Sequence, residues 1–239
     1  MYSIKTLKHM QMTRYNAFSQ IHKGLRALLY DTAIKVQQTD FTDDAAAAKT
    51  IDRLNTVVWL FESHAHVEDT MVFPMVQQAA PEIVEAFEKE HVTDHELGEA
   101  LKSQIEAYRQ ASDTTEKIKA GTGIFLAFND FIAFNLYHMN KEETIINKFL
   151  WENYTDADLI GLTQRIVASV PPNKNEQYSR WMLKGIGLHE TIHWYQAIRA
   201  TAPPPVFEQF CIMAEEELPF EKWVALKSAL KIDEQAAAA

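Results

Sequence analysis

The sequence predicts an all-α protein, an antiparallel up-and-down four-helix bundle followed by additional short helices. Apolar residues recur at spacings of three and four along most of the chain, which is the period of an amphipathic helix. The 239 residues include only 7 glycines and 8 prolines, and this scarcity favours long helices over turn-rich β-structure. Hydrophobic residues make up 47% of the chain and charged residues 23%, so we expect a packed core.

The first three long helices are predicted from their apolar stripes, the rows of apolar residues along one helix face, and from residues that begin or end helices. The first runs from about Tyr15 to Gln37 and the second from about Ile51 to Gln78, joined by the polar segment TDFTDDAAAAKT. Pro74 should kink or end the second helix, because proline removes a hydrogen bond and clashes with the preceding turn. Pro81 suits the first position of the third helix, where its missing N–H is not needed.

The fourth helix should begin at Asp113, which has the spacing of a capping box with Glu116. Four helices joined by short polar connections favour an antiparallel bundle. The inward stripe is predicted to keep one helical period to the end of each helix. On the second helix it is Leu54, Val58, Phe61, His64, Glu68, Met71 and Met75, and on the fourth it is Ile124, Phe128, Phe131, Asn135, His138, Glu142, Ile145 and Phe149.

The remaining chain carries shorter helical stripes. Prolines interrupt it at positions 171–172, 203–205 and 219, and proline ends helices. We therefore expect a bundle domain of residues 1–153, with a helical C-terminal extension of residues 154–239 packed on it.

Charge and composition exclude several classes of function. The net charge of −10 disfavours nucleic acid and anionic membranes as partners. Residues 1–16 contain no apolar core of signal-peptide length, and the most apolar stretch, 124–139, is broken by Asn129 and Asp130. The single cysteine, Cys211, excludes an intrachain disulfide and fits a reducing compartment. We expect a cytoplasmic protein with no nucleic-acid or membrane partner.

Seven ionisable side chains interrupt the apolar stripes of the four long helices. Residues four apart lie about one turn apart on one helix face, so the members of each pair should project together. Burying so many ionisable groups is costly unless a bound cation compensates them. They are His22 on the first helix, His64 and Glu68 on the second, His91 and His95 on the third, and His138 and Glu142 on the fourth.

A single histidine on an apolar face is more often a hydrogen-bonded core residue than a metal ligand. The set favours a metal site, because His-x3-Glu, His-x3-His and His-x3-Glu occur on three successive helices after a lone histidine. Imidazole and carboxylate ligands suit iron, zinc or manganese, and affinity alone does not choose among them.

The order of these motifs resembles the hemerythrin-like family, also called the HHE cation-binding family. The matching segments are HAHVE, HVTDH and HMNKE after the lone histidine, with Phe73-Pro74 near the end of the second helix. The resemblance covers roughly residues 10–152. It implies two non-haem iron ions held by five histidines and two bridging carboxylates, with zinc or manganese as substitutes, and the seven residues fill those places. The C-terminal extension resembles one found in some bacterial members.

Two neighbouring residues compete for the place of the second carboxylate. Some family members use an aspartate five residues after the last histidine and others a glutamate four residues after it. Glu142 lies about 40° round the helix from His138, against about 140° for Glu143. We therefore predict Glu142 as the ligand.

Three further sequence features indicate a functional site less specifically than the seven residues do. Residues 189–193 read HETIH, the metalloprotease signature, but the motif is short and no strand edge or third ligand accompanies it. A partly exposed helix is favoured, and a secondary zinc site there stays open. His66 should face away from His64, and Asp69 could accept a hydrogen bond from a metal ligand.

The resemblance implies a protein that binds O₂, or a related diatomic molecule or peroxide, for storage, transport or sensing. The alternative is an iron-dependent stress-response protein or enzyme that handles NO or peroxide or repairs iron centres. A metal-independent helical scaffold is a third hypothesis. We favour a binding protein over an enzyme, and the sequence specifies neither a redox partner nor an oligomeric state.

Overall fold

The computed structural model describes residues 14–232, which are largely helical and contain no strand. The predicted all-α class is confirmed. Residues 1–13 and 233–239, at the outer ends of the two predicted domains, lie outside the described residues. No helix in the described part of the chain combines the length and the apolar character that a membrane crossing needs.

The chain divides by its contacts into two compact units. Among the described residues, the first contains residues 14–19 and 28–171, and the second contains residues 20–27 and 172–232. The predicted domain boundary after residue 153 stays a prediction.

Two π-helical turns interrupt the helices of the first unit. One of its helices, α1, also contributes residues 20–27 to the second unit. In chain order the elements are α1 (Ser19–Gln38), α2 (Asp44–Val67), the first π turn (Glu68–Val72), α3 (Phe73–Gln77), α4 (Pro81–Gln110), α5 (Thr114–Lys141), the second π turn (Glu142–Ile146), α6 (Asn147–Asn153) and α7 (Asp156–Ser169).

Side-chain contacts show that successive long helices of the first unit run antiparallel. Two contacts join each pair, and the residue numbers along the two helices run in opposite directions. The contacts are Thr39–Thr50 and Asp31–Arg53 between the C-terminal half of α1, with its C-cap Thr39, and α2, Tyr108–Asp44 and Lys102–Glu62 between α2 and α4, and Asn135–Asp94 and His138–Glu90 between α4 and α5. These contacts are those of an up-and-down bundle.

The second helix begins earlier than its apolar stripe indicates. It starts at Asp44, where Asp43 accepts hydrogen bonds from the backbone N–H groups of Ala45 and Ala46. More than half of the predicted polar connection is therefore helix, because an aspartate N-cap and the four alanines that follow Asp44 favour helix without any apolar stripe. The predicted start of α5 is confirmed, since Asp113 accepts from the N–H of Glu116.

The predicted inward stripes are wrong beyond the two glutamates. After Glu68 the core contains Val72 and Val76 instead of Met71 and Met75, which are only partly buried. After Glu142 the buried residues are Ile146 and Leu150, whereas Ile145 is 40% exposed and Phe149 is partly buried. Each π turn holds one residue more than an α turn, so every downstream position faces inward one residue later.

One apolar core of the first unit surrounds the two π turns and contains residues that are distant in the sequence. It brings together side chains from the two π turns and from α3, α4, α6 and α7. The buried members are Phe18, Val72, Phe73, Val76, Ala80, Val84, Phe87, Ile146, Leu150, Leu159 and Leu162. This packing fixes the two π turns in place.

The second unit has its own apolar core. Its helices are α8 (Pro172–Gly185), α9 (Leu188–Thr201), α10 (Pro204–Glu217) and α11 (Phe220–Leu230). The buried residues are Leu183, Tyr195, Met213, Ala214, Leu218, Trp223, Leu226 and Leu230.

Glycine allows a close backbone approach inside the second unit. A Cβ atom at Gly185 would lie 2.2 Å from the carbonyl oxygen of Lys23, and one at Gly24 would lie 2.9 Å from the backbone nitrogen of Met182. The residue-20–27 segment of α1 and α8 can therefore pack at this distance only without side chains at those positions.

Candidate metal centre

The same local arrangement occurs twice in the first unit. A histidine lies in the last turn of a long helix, and a glutamate four residues later is the first residue of a π turn. The Nε2 atom of His64 lies 3.1 Å from Oε1 of Glu68, and Nε2 of His138 lies 3.1 Å from Oε1 of Glu142. The two predicted His-x3-Glu motifs therefore form equivalent structures on α2 and α5.

Each π turn places its glutamate at the change of helical register. The carbonyl oxygen of Glu68 accepts from the N–H of Phe73, and that of Glu142 accepts from the N–H of Asn147, both five residues on. The π turns have the sequences EDTMV and EETII. Both glutamate side chains are buried, at 2% and 0% exposure, and isolated π turns are often found at functional sites.

Two groups of potential metal donors share the same carboxylates. One donor atom each from Glu68, His91, His138 and Glu142 lie within 4.8 Å of one another. Donor atoms of His64, Glu68 and Glu142 also lie within 4.8 Å of one another. A carboxylate common to two groups has the position of a bridging ligand between two cations.

His91 fits a bound cation. Its Nε2 is buried and makes no hydrogen bond to any residue from 14 to 232. Oxygen atoms of Glu68 and Glu142 lie 3.5 and 3.8 Å from it. Because a buried polar atom without a hydrogen bond is costly, an imidazole nitrogen facing two carboxylates suits a metal ion between them.

The charges of the group also favour a cation. Burial disfavours a charged imidazole at His91, but the carboxylates of Glu142 and Glu68 outweigh burial and raise its pKa to about 11. The pKa of His138 is raised in the same way, with burial opposed by Glu142 and Glu90. The two buried carboxylates therefore need positive charge beside them, which imidazolium supplies without metal and a metal ion can replace.

Two further carboxylates orient the imidazoles. The Nδ1–H of His91 donates to Asp69 at 2.7 Å, and the Nδ1–H of His138 donates to Glu90 at 2.8 Å. Lys141 forms an ion pair with Glu90. A hydrogen bond at Nδ1 leaves Nε2 as the metal-binding atom and fixes the ring.

One of these partners is predictable from the sequence and the other is not. Asp69 follows Glu68 directly, and its position predicts such a hydrogen bond. Glu90 is 48 residues from His138, so no spacing rule links them. Its position immediately before His91 was the available signal.

A buried acid and amide lie on the same helix faces. The Nδ2 of Asn135 donates to Oδ1 of Asp94 at 2.6 Å and to the carbonyl oxygen of Phe131 at 3.1 Å. Burial raises the pKa of Asp94. Asn135 lies on the predicted inward stripe, whereas Asp94 does not, because the motif His-x3-His assigns the inward position to the neighbouring His95.

His95 does not join the buried groups. It is exposed, and its donor atoms lie within 4.8 Å of those of Glu62 and Glu99, both also exposed. The apolar stripe of the third predicted helix implies an inward orientation for His95. Asp94 has that orientation instead, because it follows His91 by three residues on the same face.

Two other predicted positions can be located in the structure. His22 is fully buried on α1, in the segment of residues 20–27 that belongs to the second unit. His66 is exposed, as its angular separation from His64 predicts.

The HETIH segment is arranged as a structural helix start. Glu190 accepts from the N–H of Gly187 at 3.2 Å and pairs with Lys23 at 2.5 Å. His189 and His193 are exposed and their rings are 4.3 Å apart. A glutamate engaged in both contacts is poorly placed to act as the base of a zinc protease, which agrees with the rejection of that motif.

Comparisons with known proteins agree with this geometry. The family model of the hemerythrin HHE cation binding domain matches residues 13–150. Searches of curated proteins and of solved structures find no match. The matched range covers more than half of the chain and contains every residue of the buried donor groups, so the chain belongs to the hemerythrin HHE cation-binding domain family.

Proposed function

We propose that this protein holds two iron ions in the first unit and binds O₂, or a related small molecule such as NO or peroxide, for storage, transport or sensing. The observation that supports two ions is the sharing of Glu68 and Glu142 between two donor groups. Imidazole and carboxylate donors suit iron, and zinc or manganese could replace it.

The proposed ligands of the first unit belong to the two donor groups that share carboxylates. His91 and His138 would bind one ion, His64 would bind the other, and Glu68 and Glu142 would bridge them. We omit His95, although the family resemblance implies a fifth histidine, because its side chain is exposed. Four protein ligands on one ion and three on the other leave coordination positions for solvent and an external ligand.

When bound, the iron pair would supply an open Lewis-acid position and the electrons for binding the small ligand. The chain's own residues hold the imidazoles and exclude water. Phe73 stacks on His91 with ring centroids 5.2 Å apart, and Phe134 stacks on His138 at 5.7 Å. Phe87 lies against His138 from another side, also at 5.7 Å. Such an apolar surround lowers the local dielectric and slows the entry of solvent.

The test is a metal count followed by anaerobic spectroscopy. The purified protein should contain about two iron ions per chain. After reduction under nitrogen, addition of O₂ should produce a visible charge-transfer band that disappears when the gas is removed. Rapid irreversible oxidation with no such band would contradict reversible binding.

One observation favours the alternative of peroxide or NO turnover. With His95 exposed, each proposed ion keeps an open position, and open positions on both ions suit turnover. The iron-loaded protein should then consume peroxide or NO faster than an equal amount of free iron. A rate equal to that of free iron would reject this alternative.

A further inference from the structure

An imidazole and two carboxylates meet on the surface of the first unit, apart from the buried donor groups. Glu62 lies on α2, and His95 and Glu99 lie one turn apart on α4. One donor atom from each lies within 4.8 Å of the others, and all three residues are exposed. One imidazole and two carboxylates are a ligand set for Zn²⁺, Mn²⁺ or Fe²⁺, with water in the remaining positions.

A positive group already lies between the two carboxylates. The Nζ of Lys102 is 2.7 Å from Oε1 of Glu62 and 2.7 Å from Oε1 of Glu99. The negative charges of Glu62 and Glu99 are therefore both paired with the ammonium group of Lys102. Exposed ion pairs of this kind are weak, so a divalent ion that also gains the imidazole can displace the ammonium group.

We propose that Glu62, His95 and Glu99 form a solvent-exposed site for one divalent transition-metal ion, which displaces Lys102 when it binds. The i, i+4 spacing of His95 and Glu99 presents both donors on one face of α4, and Glu62 completes the site from α2. The contacts among these residues carry the proposal, which does not depend on the buried centre.

Zinc titration of the iron-loaded full-length protein tests the proposal. Calorimetry should detect one Zn²⁺ per chain in addition to the iron, and metal analysis after gel filtration should confirm the count. His95→Ala and Glu62→Gln should each weaken this binding by at least about tenfold, the lower end of what loss of a supporting contact costs a metal site. Lys102→Met should strengthen it, because the competing ammonium group is removed.

The chain offers matched controls on the same helices. His66 on α2 and Glu96 on α4 are exposed and outside the group, so His66→Ala and Glu96→Gln should bind zinc like the unmodified protein. Circular dichroism should show unchanged helix content in all five variants.

Three outcomes would overturn the proposal. The unmodified protein could bind no zinc beyond its iron. Zinc could bind equally well to the His95→Ala and Glu62→Gln variants, which would mark adventitious binding. His95→Ala could lose iron, which would assign His95 to the buried centre. Failure of the unmodified protein to load iron would instead count against the proposed function, because the effect of His95→Ala on zinc could still be measured.

Discussion

The imidazoles of His91 and His138 are held at both nitrogens. Their Nε2 atoms face shared carboxylates, and their Nδ1 atoms donate to Asp69 and Glu90. The partners of the outer nitrogens are less buried than the inner carboxylates, with the Glu90 side chain 20% exposed. Metal affinity should therefore depend on residues that do not touch the metal.

Glu90→Gln should lower iron affinity by about 10–100-fold, the usual cost of losing such a partner. The amide keeps the shape of the side chain but removes the charge that holds the His138 ring and pairs with Lys141. Iron retained against a chelator measures the effect. Glu88→Gln is the matched control, because Glu88 is an exposed glutamate on the same helix. Equal iron retention in both variants would show that Glu90 does not position His138.

Much of the candidate centre is predictable from residue spacing, but the orientation of His95 is not. His64 with Glu68 and His138 with Glu142 lie on single helix faces, so the i, i+4 rule suffices for them. On α4 the rule permits either His95 or Asp94 beside His91. The choice depends on how the whole helix is rotated against its neighbours, which one sequence does not contain.

At the scale of elements, the two π turns determine where the bundle holds its carboxylates. Each begins with an acidic pair followed by threonine, Glu68-Asp-Thr70 and Glu142-Glu-Thr144. The two threonine hydroxyls donate to carbonyl oxygens four residues back, at 2.7 and 2.8 Å. Apolar periodicity assumes 3.6 residues per turn throughout, so it cannot detect an added residue. The repeated acid-acid-threonine pattern was the available signal.

Deletion of Thr144 should convert the second π turn into ordinary α-helix while leaving the protein folded. Ile146 and Leu150 would keep their inward positions, because removal of one residue restores the regular period. The backbone at Glu142 would change its hydrogen bonding, and its carboxylate would leave the shared position. We expect the protein to lose iron while its helix content is retained, as measured by metal analysis and circular dichroism.

Thr144→Ala is the control for the side chain alone. Thr144 is exposed, so this variant should keep its iron. Iron content that survives the deletion would show that the π turn is not required for the centre.

The second unit provides a separate prediction about helix packing. Gly185→Ala should destabilise the protein by about 1–3 kcal/mol, the usual cost of overpacking, because its Cβ would lie 2.2 Å from the carbonyl oxygen of Lys23. Gly161→Ala on α7 is the matched control. The nearest atom to its Cβ would be the side-chain Nη1 of Arg165 at 3.6 Å, so this change should stabilise the helix by roughly 0.5–1 kcal/mol. Urea unfolding measures both, and equal effects would contradict the packing argument.

At the scale of the whole molecule, the sequence predicts the long helices of the bundle and their order, but it does not show which helices pack together. By its contacts, α7 belongs to the first unit, and residues 20–27 belong to the second. Periodicity identifies the face of a helix that is buried. It does not identify the helix against which that face packs, because apolar side chains of similar size can pack on many apolar surfaces.

Removal of metal tests whether the centre supports the whole protein. The apoprotein should stay folded, because imidazolium groups at His91 and His138 can compensate the buried carboxylates. It should unfold at a lower temperature, because a ligand at a hundredfold excess over its dissociation constant contributes about 2.7 kcal/mol. For a chain of this length that corresponds to roughly 5–10 °C. Calorimetry before and after chelation measures the shift.

Re-addition of ferrous iron under nitrogen should restore the original melting temperature, and chelator should have little effect on a His138→Ala variant. Loss of all helix content on chelation would show that the imidazolium groups cannot compensate the carboxylates. An unchanged melting temperature would favour the third hypothesis, a helical scaffold that needs no metal. In that case the apolar core alone would stabilise the bundle, and bound metal at the two buried glutamates would not contribute to the free energy of unfolding.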